Sequence, residues 1–284
     1  MTKERLSSIG ELYDKSQWLY SWLYYDSHSL GIHYGFWDDG VTSKPEALTK
    51  PYKEVLEILN PGESQTILDA GCGVGGACFW LANHSPANFI GITISDKQLA
   101  LAKKGAVARG LQNRVSFSKQ NYFKTEFPDN TFDGVFGIES LCYGYGNLES
   151  LFREMHRILK PGGTLVMLDG ILLRKPSDKQ ETNLLENFCA GWKLLEMCNP
   201  KEILSNLESS GFEKIEFFDK TSCVEKSIQD IHKITEVFGP LVRALHFLKL
   251  ITNTAANNLL STQRQKAMYD AGLVGYGKFI AKRA

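Results

Sequence analysis

The sequence is poor in the features that mark an unusual environment. Its six cysteines, at positions 72, 78, 142, 189, 198 and 223, form no CxxC pair and no metal-ligand spacing. That argues against a disulfide scaffold or a zinc module and predicts reduced thiols with no metal site. No apolar run approaches the ~20 residues that cross a bilayer, and the opening MTKERLSSIGELYDK is too polar for a signal peptide. We therefore expect a cytoplasmic protein without a membrane span. Lys plus Arg number 32 and Asp plus Glu 32, so no global field recruits nucleic acid. The balance is local only: from Ser222 to Ala284 there are nine basic residues against four acids, which reads as a solvated basic face. There is no internal repeat and no low-complexity segment. A hydrophobic content of 43% over 284 residues is enough to bury a sizeable core.

What the sequence does hold is concentrated in Gln65 to Ala82, QTILDAGCGVGGACFWLA. Thr66, Ile67 and Leu68 read as a short buried strand, and Ala77 to Ala82 as a helix. The glycines between them let the backbone turn sharply and approach a ligand, with the helix N-terminus facing it. Gly71, Gly73 and Gly76 fit G-x-G-x-x-G, so an NAD-dependent dehydrogenase has to be weighed. Asp69, however, precedes the first glycine, where it would repel a pyrophosphate. The second strand, Asn88 to Ser95, also lacks the acid that would grip an adenosine ribose. A cationic ligand suits Asp69 better, and S-adenosylmethionine carries both a sulfonium and an ammonium.

The remaining chain alternates strand and helix. Strands are predicted at Arg114–Ser118, Phe132–Ile138 and Thr164–Leu168. Helices are predicted at Asp96–Arg109 and Leu148–Leu159, the second closed by Lys160-Pro161-Gly162-Gly163. The pattern predicts an α/β fold, a doubly wound, Rossmann-like and mostly parallel sheet. Before it, residues 9 to 60 are dense in aromatics, with Trp18, Trp22 and Tyr25 spaced for one packed helix face and Pro45–Leu59 reading as a helix. After it come helices at Thr182–Cys198 and Pro200–Ser209, a strand at Phe212–Phe218, one or two helices within Ser227–Gln265 and a last strand at Leu273–Ala281. The expected organisation is an aromatic-rich helical lid (1–60), a binding core (61–170) and a remainder with helical insertions (171–284), all in one structural domain. The insertions serve either as a substrate roof or as a homodimer surface.

Four ordered motifs, ILDAGCGVGG, GITIS with Gln98, FPDNTFDGVFGIES and RILKPGGTLV, resemble class I S-adenosylmethionine-dependent methyltransferases. The GITIS form resembles the branch holding sterol, tocopherol and prenyl-diphosphate C-methyltransferases and cyclopropane synthases. The likeness covers Tyr13 to Gly170, with an echo in the closing YGKFIAKR. It implies that Tyr13 and the His33-Tyr34-Gly35-Phe36-Trp37 turn close over cofactor and substrate. It implies a cofactor site of Tyr13, Asp69, Gly71, Cys72, Gly73, Thr93, Ile94, Gln98, Asn121, Tyr122 and Ile138. Thr93 and Gln98 would meet the ribose, and Asn121 with the Tyr122 backbone the adenine. Relatives usually carry a carboxylate where Asn121 stands, and many an acid at Thr93, so the neutral hydrogen bonds here are the weaker kind.

Glu139, Tyr143 and His33 are the implied catalytic groups. Methylating an alkene leaves a carbocation, which a carboxylate and aromatic faces stabilise before a base removes a proton. Tyr143 stands where many relatives have histidine, which leaves His33 as the candidate imidazole. The expected activity is methyl transfer from S-adenosylmethionine to a small, apolar or isoprenoid-like acceptor, at carbon. N- or O-methylation of an amine or phenol, and a binding module without turnover, stay open.

Overall fold

The computed structural model describes residues 2–23, 29–38 and 40–284. Tyr24 and Tyr25 of the aromatic stripe lie outside them. The described residues contain a seven-stranded sheet in the order β3-β2-β1-β4-β5-β7-β6. Its strands are β1 (Thr66–Ala70), β2 (Asn88–Thr93), β3 (Val115–Lys119), β4 (Phe132–Ile138), β5 (Leu159–Leu172), β6 (Phe212–Asp219) and β7 (Val274–Arg283). Strands β1 to β5 pair in parallel, and β7 runs antiparallel between β5 and β6. The connections are helices: α3 (Gly76–His84), α4 (Asp96–Ala108), α5 (Leu148–Ile158), α6 (Lys179–Trp192), α7 (Pro200–Ser209), α8 (Thr221–Phe247) and α9 (Asn253–Asp270). Two more, α1 (Lys3–Leu23) and α2 (Lys44–Leu59), precede the sheet.

Residue alternation along each strand sets the two cores, because successive side chains point to opposite faces. Leu68, Val135, Leu165 and Met167 face α5 and α7 through Phe152, Met155, Ile203 and Leu207. Their neighbours Ile67, Phe136 and Val166 face α2, α3 and α4 through Tyr52, Val55, Phe79 and Ala102. Strands covered on both faces need continuous apolar runs, and VFGI of β4 and LVML of β5 supply them. Strand order reverses between β1 and β4, so the carboxyl ends of these two strands flank the crevice where such sheets bind ligands.

Three expectations are corrected and one open choice is resolved. Lys160–Gly163 is not a break between helix and strand. Leu159 already pairs with Phe132, and a register shift between Phe132 and Gly134 absorbs the turn, so β5 runs fourteen residues. The helix expected to reach Cys198 stops at Trp192, where Lys193 takes a left-handed φ of 60°. Leu194 and Met197 then turn toward the crevice. The segment expected as one or two helices is two, parted at Leu248–Thr252, where Lys249 has φ 58°. Trp18 and Trp22 do not pack inward: they are 47% and 60% exposed. The buried face of α1 belongs instead to Ile9, Leu12, Leu19 and Tyr20.

Candidate functional site

The glycine loop after β1 is held tightly by its neighbours. The Gly71 and Cys72 amides donate to the Ile92 carbonyl at 3.1 and 2.9 Å. Gly71, Gly73 and Gly75 have φ of 113°, 52° and 90°, a region that side chains disfavour. A Cβ at Gly71 would collide with the Ser140 side chain, and one at Gly76 with the Ser29 carbonyl. Ser140 in turn donates to the Ala70 carbonyl at 2.6 Å, closing the β1 and β4 ends onto each other. Asp69 is buried, and its Oδ2 accepts from the Cys78 thiol at 3.4 Å. Burial pushes its carboxyl up to about 7, with the Cys78 contact pulling weakly the other way.

The second wall comes from the end of β2. Thr93 and Gln98 are both buried, and the Thr93 hydroxyl donates to Gln98 Oε1 at 3.1 Å. Ser95 caps α4 by accepting from the Gln98 amide at 3.1 Å. Asp14 of α1 accepts from the Ser95 hydroxyl at 2.5 Å and from the Lys97 amide at 3.1 Å. A carboxylate at the α4 N-terminus complements the helix dipole and pins α1 across the crevice. Asn121 Oδ1 accepts from the Phe123 amide at 3.1 Å, and the Tyr122 hydroxyl donates to the Ser140 carbonyl at 2.7 Å.

Beyond β4 the chain makes a strained turn: Glu139 has φ 49°. Its Oε1 accepts from the Tyr34 amide at 2.7 Å. The Tyr276 hydroxyl lies near the same carboxylate and opposes its rise. Burial, reinforced by the charge of Asp169, raises the Glu139 carboxyl to about 8. Asp169 lies buried late in β5 and accepts from the Cys142 and Gly170 amides at 2.9 and 3.1 Å. Burial raises it to about 7. The Tyr13 and Tyr143 hydroxyls meet at 3.0 Å, and desolvation pushes both well above the ordinary phenol. His33 has both ring nitrogens engaged, Nδ1 with the Tyr34 carbonyl at 2.9 Å and Nε2 with the Tyr52 hydroxyl at 2.8 Å.

All fourteen expected residues (Tyr13, His33, Asp69, Gly71, Cys72, Gly73, Thr93, Ile94, Gln98, Asn121, Tyr122, Ile138, Glu139 and Tyr143) line one cavity. Phe188, Trp192, Met268 and Tyr269 roof it from α6 and α9. Sequence reasoning missed Asp169, although its place near the carboxyl end of a parallel strand was a usable signal. It also missed Tyr276 and the docking role of Asp14, which rest on pairings between distant segments. The cavity suits S-adenosylmethionine. Three buried carboxyls, Asp69, Glu139 and Asp169, approach it without an ion pair among the described residues, and a sulfonium with an ammonium would supply the missing positive charge. Among the described residues no cluster of His, Cys, Asp and Glu could hold a metal, and no helix is long and apolar enough to cross a membrane.

Residues 68–167 match the methyltransferase domain family. Methyltransferase GfsG of Streptomyces halstedii is 31% identical over 274 residues, covering 94% of this chain and 91% of that protein. The 24-methylenesterol C-methyltransferase 3 of Arabidopsis thaliana is 31% identical over 170 residues, 59% of this chain and only 47% of that enzyme. In fold, the chain is similar to the [4+2]-cyclase SpnF, with a TM-score of 0.81, 24% identity and coverage of 97% and 94%. It is also similar to geranyl diphosphate C-methyltransferase from Streptomyces coelicolor A3(2), with a TM-score of 0.75, 17% identity and coverage of 100% and 99%. The chain belongs to the class I S-adenosylmethionine-dependent methyltransferases and uses that cofactor.

Proposed function

We propose that this enzyme methylates a carbon of a small, largely apolar acceptor, and that Glu139 handles the charge that results. The observation carrying this reading is the setting of Glu139. Its carboxyl has no cationic partner among the described residues and opens on a cavity whose walls include Tyr34, Tyr143, Trp192, Met268 and Tyr269. The cofactor supplies an electrophilic methyl on a positively charged sulfur. Adding a methyl to an alkene leaves an electron-deficient carbon, which a carboxylate and aromatic faces stabilise and which must then shed a proton. A carboxyl that burial raises to about 8 is drawn down by an adjacent cation, which favours its ionised form when the charge arrives.

Tyr13, Asp69, Gly71, Cys72, Gly73, Thr93, Ile94, Gln98, Asn121, Tyr122 and Ile138 would hold the cofactor. Residues 1–60 would act as the lid. The Asp14–Ser95 contact, the fit of Ser29 on Gly76 and the Tyr34–Glu139 bond support that role. The names of the relatives, C-methyltransferases of sterols and of geranyl diphosphate, support a carbon acceptor. A second reading, methylation of a hydroxyl, draws on the paired Tyr13 and Tyr143 hydroxyls, which could orient an acceptor oxygen over the same cavity.

Labelled cofactor with a panel of alkenes and alcohols, read by product mass and carbon NMR, separates the two. With the best acceptor, Glu139→Gln should leave cofactor affinity nearly intact while kcat falls about 10²-fold. Activity within about threefold of the parent from roughly pH 6 to 9 would remove Glu139, and the carbon reading with it.

A further inference from the structure

The end of the molecule where α8, α9 and the carboxyl end of α1 meet is apolar outside as well as inside. Leu19, Val242 and Ala256 form a small buried cluster there, with Ile251 packed against it. Around it Val237 is 71% exposed, Phe247 86%, Leu248 61% and Leu250 68%. Trp22, 60% exposed, extends the patch from α1 and meets the Phe238 ring at 5.3 Å. Trp18 lies one turn back on the same helix face. So many exposed apolar side chains at one end of a molecule are rare unless something covers them.

The charges show what would. From Val237 to Tyr269 the chain has no Asp or Glu, but it has Arg243, Lys249, Arg264 and Lys266. Arg243 and Lys249 are exposed beside the patch and make no ion pair among the described residues. Lys266 pairs with Asp270 and Arg264 donates to the Asn187 carbonyl toward the other end of α9, so among the described residues Arg243 and Lys249 carry the positive charge beside the exposed aromatics. Such a pairing of apolar tip, interfacial tryptophans and cationic rim fits an anionic membrane surface. A second copy of the chain would bring the same cations against themselves.

We propose that this end of the molecule docks reversibly on an anionic lipid bilayer, with Phe247, Leu248 and Leu250 entering the headgroup layer and Arg243 and Lys249 on lipid phosphates. The proposal does not depend on which acceptor is methylated. It does give α9 a second task. The helix runs from Ala256 in the docking end to Met268 and Tyr269 in the cavity wall, about 18 Å along its axis for those twelve residues. Docking would bring the roof of the cavity near the bilayer, from which an apolar molecule could enter.

The test is flotation of the full chain with vesicles of phosphatidylcholine alone or of phosphatidylcholine with phosphatidylglycerol. Binding should need the anionic lipid and weaken in high salt. Phe247→Ser with Leu248→Ser and Leu250→Ser should lower the partition coefficient at least about tenfold. Arg243→Glu with Lys249→Glu should lower it by about fivefold or more for each charge removed. Both variants alter exposed positions, and unchanged cofactor binding would show that each is folded. Failure of the parent to float with anionic vesicles, or equal flotation of either variant, overturns the proposal. So does a stable dimer in sedimentation velocity that the serine variant dissociates, since a second copy would then cover the patch.

Discussion

The three buried carboxyls, which have no ion pair among the described residues, make the ligand-free enzyme sensitive to alkali, and Asp69→Asn isolates one of them. In the folded chain Asp69 is raised from an ordinary 3.8 to about 7, so folding favours its protonated form. Its stabilising effect is complete below the unfolded value and is lost as pH rises through about 7. Displacement over that range corresponds to roughly 4 kcal/mol of preference for the neutral acid; water entry and relaxation reduce it to on the order of 2–4 kcal/mol. Asn cannot ionise. It leaves an amide donor without a defined partner, at a cost of about 1 kcal/mol at every pH. The expected result is therefore a crossover. By differential scanning calorimetry without ligand, Asp69→Asn should melt slightly below the parent at about pH 3.5 and several degrees above it at about pH 9. Cofactor affinity should move the other way. In the parent it should rise with pH between about 6 and 8 as the carboxyls ionise, and in Asp69→Asn it should be about tenfold weaker or more at alkaline pH, with a flatter pH dependence. A melting difference that stays constant from about pH 5 to 9 would mean that Asp69 is ionised throughout, and the reasoning from burial would fail.

Two further outcomes follow from the contacts around the crevice. Asp14→Ala removes the acceptor for the Ser95 hydroxyl and the Lys97 amide, so α1 should loosen from α4. KM for the cofactor should rise about tenfold and limited trypsin digestion near the amino terminus should quicken; unchanged digestion would show that other contacts hold α1. Tyr143→Phe leaves the Tyr13 hydroxyl without its 3.0 Å partner, and should destabilise by about 1 kcal/mol in urea unfolding, whereas Tyr13→Phe with Tyr143→Phe should cost less than the two single changes added together.

How much of this was legible in the sequence depended on the range over which each signal acts. The βα unit at Gln65 to Ala82 was readable because strand, acid and glycines are contiguous, and β4 was placed to the residue as Phe132–Ile138. Gly76 could be assigned to a tight approach, but not to the Ser29 carbonyl that makes it necessary, because the two lie 47 residues apart in sequence. Segment ends went wrong where a backbone angle overrode composition. Lys193 stops α6 in a left-handed turn that no glycine marks, and Lys160-Pro161-Gly162-Gly163 is absorbed into β5 because the neighbouring strand β4 imposes a register. The site divides in the same way. Asp69, Thr93 and Glu139 stand at strand ends and Gln98 in the first turn of α4, where a local pattern finds them. Tyr276 reaches Glu139 from the far end of the chain, and Asp169 adds its charge across from β5. The raised Glu139 carboxyl is therefore a property of no single motif. It arises when β4, β5, β7 and the Tyr34 segment close on one another, and in that enclosure a carboxylate that would titrate near 4.5 in water becomes a group poised near pH 8.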